Sequence, residues 1–190
     1  MKKHLMLWCL LAVFSQGVSA QYKTYHGDGP DDVLRLVPIA SAFALKACGV
    51  ESSSNWPSFL VSAGISGALT CGITYGLKHA VHDKRPDGTD NHAFPSGHAA
   101  VAFAGAHVLL KEYGKTSVWI PVAGYAVATA TAIDRVHRNR HHWDDVLAGA
   151  AIGVASTELG YWLSRKLLPN HNEYSIAVSP AGLSLCYTFR

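Results

Sequence analysis

Eight residues in three short clusters carry the chemistry this chain can do: Lys78 and Arg85, then Ser96, Gly97 and His98, then Arg135, His141 and Asp145. Lysine and arginine hold anionic oxygens. A histidine beside a carboxylate can serve as nucleophile or base, and a second histidine can move a proton. Together these are the parts needed to pass a phosphoryl group: cations and backbone N–H groups for the oxygens, a nucleophile, and an acid–base partner.

Each cluster has a local logic. In Pro95-Ser96-Gly97-His98, Ser96 is a good N-cap for a helix that starts at Gly97. Free N–H groups at a helix start attract anions, and a glycine there lets an oxygen approach the backbone. His141 and Asp145 are four residues apart, so they share a face if this stretch is helical. Asp145 would then orient one ring nitrogen and leave the other free to attack. His142 with Asp144 offers a second register. Arg135 can grip oxygens through its planar fork. Lys78 with Arg85-Pro86 is the weakest signal alone, because a lysine at a helix end also offsets the terminal dipole.

These clusters have to be positioned by the apolar segments around them. Val33–Val50, Pro57–Leu77, His98–Leu110, Val118–Ile133 and Val146–Leu168 are rich in Gly and Ala, lack period-two alternation and have helical lengths. Gly64, Gly67, Ala68 and Gly72 permit close helix contact, as in membrane bundles. The expected architecture is all-α: a membrane-embedded bundle of five or six helices spanning residues 21–170. Residues 171–190 read as a C-terminal tail forming a short β-hairpin, with strands at Glu173–Val178 and Leu183–Phe189. Residues 1–20 read as an export signal, with Lys2 and Lys3, an apolar run from Leu5 to Phe14 and a Val18-Ser19-Ala20 cleavage site; uncut, they would be an N-terminal anchor. Either way, counting spans puts the three clusters on one outward face.

Composition narrows the rest. A formal net charge of +3 over 190 residues does not argue for nucleic acid, but the basic residues gather beside the motifs. With Cys9 in the signal, three cysteines remain without Cys-x-x-Cys spacing, so neither a disulfide framework nor a zinc site is expected. Cys48 and Cys71 read as small buried hydrophobes. Most of the eleven histidines lie between His79 and His142, yet no His-Glu-x-x-His helix is present, and no metal is expected. His79, His82, His92, His137 and His142 read as surface or supporting groups.

Taken together, Lys78-x6-Arg85-Pro86, Pro95-Ser96-Gly97-His98 and Arg135-x5-His141-x3-Asp145 resemble the type 2 phosphatidic acid phosphatase (PAP2) superfamily. Val146-Leu147-Ala148-Gly149 resembles the family's helix after the aspartate, which selects His141 and Asp145 over the second register. The resemblance implies a helical bundle and a metal-independent, cofactor-free phosphatase. His141 would attack phosphorus to form a phosphohistidine, oriented by Asp145. His98 would protonate the leaving oxygen and later activate water. Lys78, Arg85, Ser96, Gly97 and Arg135 would hold the phosphate.

One departure is Asp134, where the family has serine; it is expected to point away from the phosphate. The implied substrate is a phosphorylated lipid: a lipid A phosphate, an isoprenyl pyrophosphate or a glycerolipid phosphate. The implied partner is the bilayer, with the site on the periplasmic face of a bacterial inner membrane. The alternatives are a soluble periplasmic acid phosphatase, a vanadium haloperoxidase of the same superfamily, and a non-catalytic phospholipid-binding protein.

Overall fold

A computed structural model describes residues 29–168, 174–179 and 182–187. The signal-like segment and the turn at Pro180-Ala181 lie outside the described residues. The described helices are α1 (Pro30–Leu34), α2 (Val37–Ala47), α3 (Trp56–Ala80), α4 (Gly97–Tyr113), α5 (Trp119–His137) and α6 (Trp143–Leu167). Strands β1 (Tyr174–Ser179) and β2 (Gly182–Tyr187) pair antiparallel, with Tyr174 opposite Tyr187. The first expected apolar segment is two helices, because the chain turns at Arg35-Leu36 and Pro38 then opens α2.

The helix starts follow from their sequences. Asn55 caps α3 by accepting Ser58 N–H at 3.0 Å, and Pro57 fills the first turn. Ser96 caps α4, as expected, by accepting Ala99 N–H at 3.4 Å. His142 and Asp145 form the capping box of α6, where Asp145 accepts His142 N–H at 2.8 Å.

Helix α4 lies at the centre, packed against α2, α3, α5 and α6. Two glycines on α6 set its approach. A Cβ on Gly149 would lie 2.4 Å from the Ser96 carbonyl, and one on Gly153 would lie 2.3 Å from the Ala100 carbonyl. The backbones of α4 and α6 therefore touch, a close approach that only small residues permit. Gly160 does the same against Ser66 of α3, with a Cβ 2.3 Å from Oγ.

The two long helices bury the opposite of what a soluble core buries. On α3 the buried residues are Phe59 at the first turn and the stripe of Ser58, Ser62, Ser66, Thr70 and Thr74, while Leu60, Ile73 and Tyr75 are exposed. On α6 the buried side includes Gly149, Gly153, Ser156, Thr157, Gly160 and Ser164, while Leu147, Leu159 and Trp162 are exposed. Small and polar residues inside with large apolar residues outside is the arrangement of helices packed in lipid, where apolar surface gains nothing from burial. Buried hydroxyls are partly met within their own helix, as in Thr70 Oγ1 to the Ser66 carbonyl at 2.8 Å. Among the described helices, α3 and α6 are the two long and apolar enough to cross a bilayer. Helix α4 has only 17 residues and is largely buried. Cys48 and Cys71 are exposed, not buried as expected; Cys71 faces outward from α3, where an apolar thiol is at home in lipid.

The end of the bundle away from the clusters is tied by a polar network. Lys46 Nζ donates to Ser52 Oγ and the Ser54 carbonyl, both at 2.6 Å. Glu112 accepts from Ser54 Oγ at 2.6 Å and from Tyr161 Oη at 2.8 Å. All of these partners lie in or beside packed helix ends, so this end is rigid.

Gly153→Ala should force α4 and α6 apart and lower stability by about 1–3 kcal/mol. The thermal unfolding midpoint of purified protein in detergent should fall accordingly; an unchanged midpoint would contradict the backbone contact.

Candidate active site

The three clusters meet at the end of the bundle where α3 ends and α4 and α6 begin. Lys78 is in the last turn of α3, His98 in the first turn of α4, Arg135 in the last turn of α5 and Asp145 in the first turn of α6. Arg85 is in the α3–α4 loop and His141 in the α5–α6 linker. The backbone joins them directly, since Ser96 N–H donates to the Asp145 carbonyl at 2.9 Å. The loop is pinned to the linker twice. Asp87 N–H donates to the Asn139 carbonyl at 3.1 Å, and Arg140 donates to Asp87 Oδ2 at 2.6 Å. Asn139 takes φ +54°, a left-handed conformation that asparagine tolerates and that turns the chain from α5 toward α6.

His141 is buried in this linker. It is not helical, so its relation to Asp145 is not the expected helix face but a consequence of the α6 cap. His141 Nδ1 lies 3.4 Å from Asp145 Oδ2, the same oxygen that accepts His142 N–H. Burial, then the positive charges of Arg135, Arg85, Lys78 and His98, push His141 down to about 2. Both effects favour the neutral imidazole. At 3.4 Å from Asp145, Nδ1 makes no hydrogen bond, and a proton on Nδ1 facing Asp145 would leave the lone pair on Nε2.

The cations around it are held by acceptors that leave donors over. Lys78 Nζ donates to the His92 carbonyl at 2.8 Å. Arg85 Nε donates to Asp90 Oδ1 at 2.7 Å, while its buried NH1 has no protein partner. Arg135 NH1 bonds Asp31 Oδ2, while its buried Nε has no protein partner. Buried donors of this kind are costly unless something accepts from them. An oxyanion would. Gly97 fits the same picture, because a Cβ there would meet only Thr74 Cγ2 at 3.6 Å and Lys78 Cε at 4.0 Å. Those are ordinary contacts, so packing within the protein does not require the glycine.

All eight expected residues are thus in one region, but four carboxylates around them were not anticipated. Asp90 and Asp87 anchor Arg85 and Arg140. Asp31 is fully buried between Arg135 and Arg138. Asp32 Oδ1 is 2.7 Å from His98 Nε2. The only sequence hint was the Gly29-Pro30-Asp31-Asp32 helix start, which reads as a local cap and carries no sign of its distant partners. Arg138, to which no role was assigned from the sequence, bonds Asp31. Asp134 turns toward Arg138, 3.8 Å away, on the side of α5 that also meets Asp31.

Burial and Arg135 pull His98 down to about 4, against the hydrogen bond to Asp32, which favours its charged form. That bond in turn holds the Asp32 carboxyl below its usual range, although burial works against it.

Two groups bring three potential metal-ligand atoms within 4.8 Å of one another: Asp31, Asp32 and His98, and Asp83, His142 and Asp145. The first is unsuited to a cation, because Asp31 already neutralises two arginines. In the second, Asp145 is engaged by the α6 cap.

A family model described as the PAP2 superfamily matches residues 56–169, which contain all eight residues. The chain belongs to the PAP2 superfamily. It is 41% identical over 146 residues to the lipid A 1-phosphatase of Porphyromonas gingivalis, covering 76% of this chain and 33% of that protein. It is 33% identical over 138 residues to the probable diacylglycerol pyrophosphate phosphatase 1 of Schizosaccharomyces pombe, covering 66% of this chain and 46% of that one. The chain thus spans between a third and a half of the length of these two PAP2 relatives. No solved structure gives a significant match.

An oxyanion accepted by these donors would bind only the folded protein, so orthophosphate should raise the thermal unfolding midpoint of wild type. Arg85→Ala removes a charged donor and should weaken phosphate binding about tenfold or more, read as a reduced shift at the same phosphate concentration.

Proposed function

We propose that this chain is a metal-independent phosphatase that removes phosphate from a phosphorylated lipid through a phosphohistidine. The observation that carries this reading is the buried His141 set among Lys78, Arg85, His98 and Arg135, surroundings that favour its neutral form. A neutral imidazole is a nucleophile, and the surrounding cations stabilise the negative charge that spreads over the phosphoryl oxygens in the transition state.

In the first half-reaction, His141 Nε2 bonds to phosphorus as the bond to the leaving oxygen breaks, and His98 gives that oxygen a proton. Asp145 steadies the positive charge on the phosphorylated ring. Arg85 NH1, Arg135 Nε, Lys78, Ser96 and the Gly97 N–H hold the oxygens. In the second half, His98 takes a proton from water, whose oxygen displaces His141 from phosphorus. Orthophosphate then leaves.

A lipid substrate is favoured by the surface of the two long helices. Each carries an exposed aromatic residue near either end: Trp56 and Tyr75 on α3, Trp143 and Trp162 on α6. Within each pair the residues are nineteen positions apart, or about 28 Å along a helix. That matches the ~30 Å hydrocarbon thickness, and aromatic residues settle at its two boundaries. Tyr75 and Trp143 are within three positions of Lys78 and Asp145, so the site would lie at headgroup depth. The printed names of the two relatives, a lipid A phosphatase and a lipid pyrophosphate phosphatase, are in keeping with this. Lipid A phosphates and isoprenyl pyrophosphates are the preferred candidates, with the site facing the periplasm.

Phosphate release from lipid A, isoprenyl and glycerolipid phosphates tests the reading. At least one should be hydrolysed by membrane-extracted protein, His141→Ala should lose activity by several orders of magnitude, and EDTA should have no effect. Equal turnover by wild type and His141→Ala would sink the assignment. The pH profile has a definite sign. Without ligand His141 is held down to about 2; bound phosphate raises it from there, so any acid limb it contributes lies on the acid side of the His98 limb. His98 must be protonated to serve the leaving group, so kcat should fall as pH rises through its pKa in the substrate complex. Bound phosphate raises that pKa from its value of about 4 without ligand, which places the optimum on the acid side of neutrality. The protein should also stay with membranes after an alkaline carbonate wash.

A further inference from the structure

Helix α1 spans only five residues, Pro30–Leu34, yet it delivers two acids to the site. Gly29 lies against the Arg138 guanidinium, where a Cβ would be 1.5 Å from its NH1 and would displace it. The chain passes flush against that arginine before α1 begins. The Asp32 carboxylate is then fixed at both oxygens: Oδ2 accepts Gly29 N–H at 3.2 Å, and Oδ1 lies 2.7 Å from His98 Nε2. The neighbouring Asp31 Oδ2 is 3.7 Å from the same nitrogen. An ionised carboxylate can only accept, so His98 Nε2 carries a proton.

We propose that Asp32 is the positioning residue for His98, locking the ring so that Nδ1 is the nitrogen that exchanges protons with substrate and water. Neutral His98 then has its lone pair at Nδ1 and acts as the base. Protonated His98 has its transferable proton at Nδ1 and acts as the acid. In the first half-reaction the Nδ1 proton goes to the leaving oxygen; in the second, a proton from water returns to Nδ1. The Nε2 proton stays on Asp32 throughout.

The charge of Asp32 has a second consequence. His98 is faced by Asp31, Asp32 and Arg35 from the α1 segment, by Arg135 of α5, by His141 of the linker and, beside Gly97, by Lys78 of α3. Arg35 and Arg135 disfavour the imidazolium, as Lys78 does by its sign. Asp31 is already bonded to Arg135 and Arg138, so Asp32 is the carboxylate bonded to His98 itself. It keeps the acid form within reach.

The proposal rests on the phosphatase reading, and the experiment separates the two. Wild type, Asp32→Asn, Asp32→Glu, Asp32→Ala and His141→Ala are assayed for phosphate release against pH, on a lipid monophosphate that wild type hydrolyses, with unfolding midpoints measured in parallel. Asp32→Asn retains an acceptor but loses the charge; its KM should stay within about twofold, while the basic limb of kcat moves down by about one pH unit. Asp32→Ala should lose kcat about tenfold or more, since the proton-transferring group is no longer held in place. Asp32→Glu should recover part of both effects, which also answers the case in which the shorter variants fold poorly. An unmoved pH limb and an unchanged kcat in folded Asp32→Asn would overturn the proposal. So would higher activity with tighter orthophosphate inhibition, which would make Asp32 a competitor for the phosphate site. Failure to find any lipid phosphate that wild type hydrolyses, or full activity in His141→Ala, would overturn the phosphatase reading itself.

Discussion

The repulsion among crowded cations, Arg135 and Arg140 of them buried, is the constraint around which this end of the bundle is built. Lys78, Arg85, Arg135, Arg138 and Arg140 converge from two helix ends, a loop and a linker, and each lowers the tolerance for the next. The arginines are held in place by carboxylates from elsewhere in the chain: Asp90 for Arg85, Asp31 for Arg135 and Arg138, Asp87 for Arg140. The arrangement is asymmetric. Arg85 and Arg135 each give one nitrogen to a carboxylate and keep another buried without a partner. That division holds the cations in place and still leaves donors for an anion.

The same carboxylates explain how the scaffold reaches its shape. Asp87 ties the α3–α4 loop to the linker that carries His141, and Asp31 ties α1 to the end of α5. These are charged contacts where water is scarce, so breaking one partner leaves a buried charge behind. Backbone contact does the rest. Gly149 and Gly153 let α6 lie on α4 closely enough for the Asp145 carbonyl to take the Ser96 N–H. Site geometry and helix packing are therefore one problem, solved by residues that never touch a ligand.

Much of this was legible in the chain. The motif residues are chemically distinctive and lie near helix ends that Ser96, Asn55 and Pro57 announce. The helices themselves follow from composition, and the hydroxyl stripe on α3 is visible as a serine or threonine every fourth residue from Ser58 to Thr74. What stayed hidden were long-range pairings. Asp31 is 104 residues from Arg135 and Asp32 is 66 from His98, and no periodicity links them. His141 and Asp145 were expected on a helix face, but the turn at Asn139 ends α5 before them, and α6 starts only after His142. Cys48 and Cys71 were misread because an apolar neighbourhood in sequence was taken to mean the interior. On a helix that buries its hydroxyls, it means the outside.

In the proposed setting, the aromatic residues at both ends of α3 and α6 would fix the depth at which the bundle floats, and this would change what concentration means for it. A catalytic centre held at one leaflet boundary meets its reactant by lateral diffusion. Its rate would follow the mole fraction of phosphorylated lipid among the surrounding lipids, so dilution by neutral lipid would slow it while added water would not.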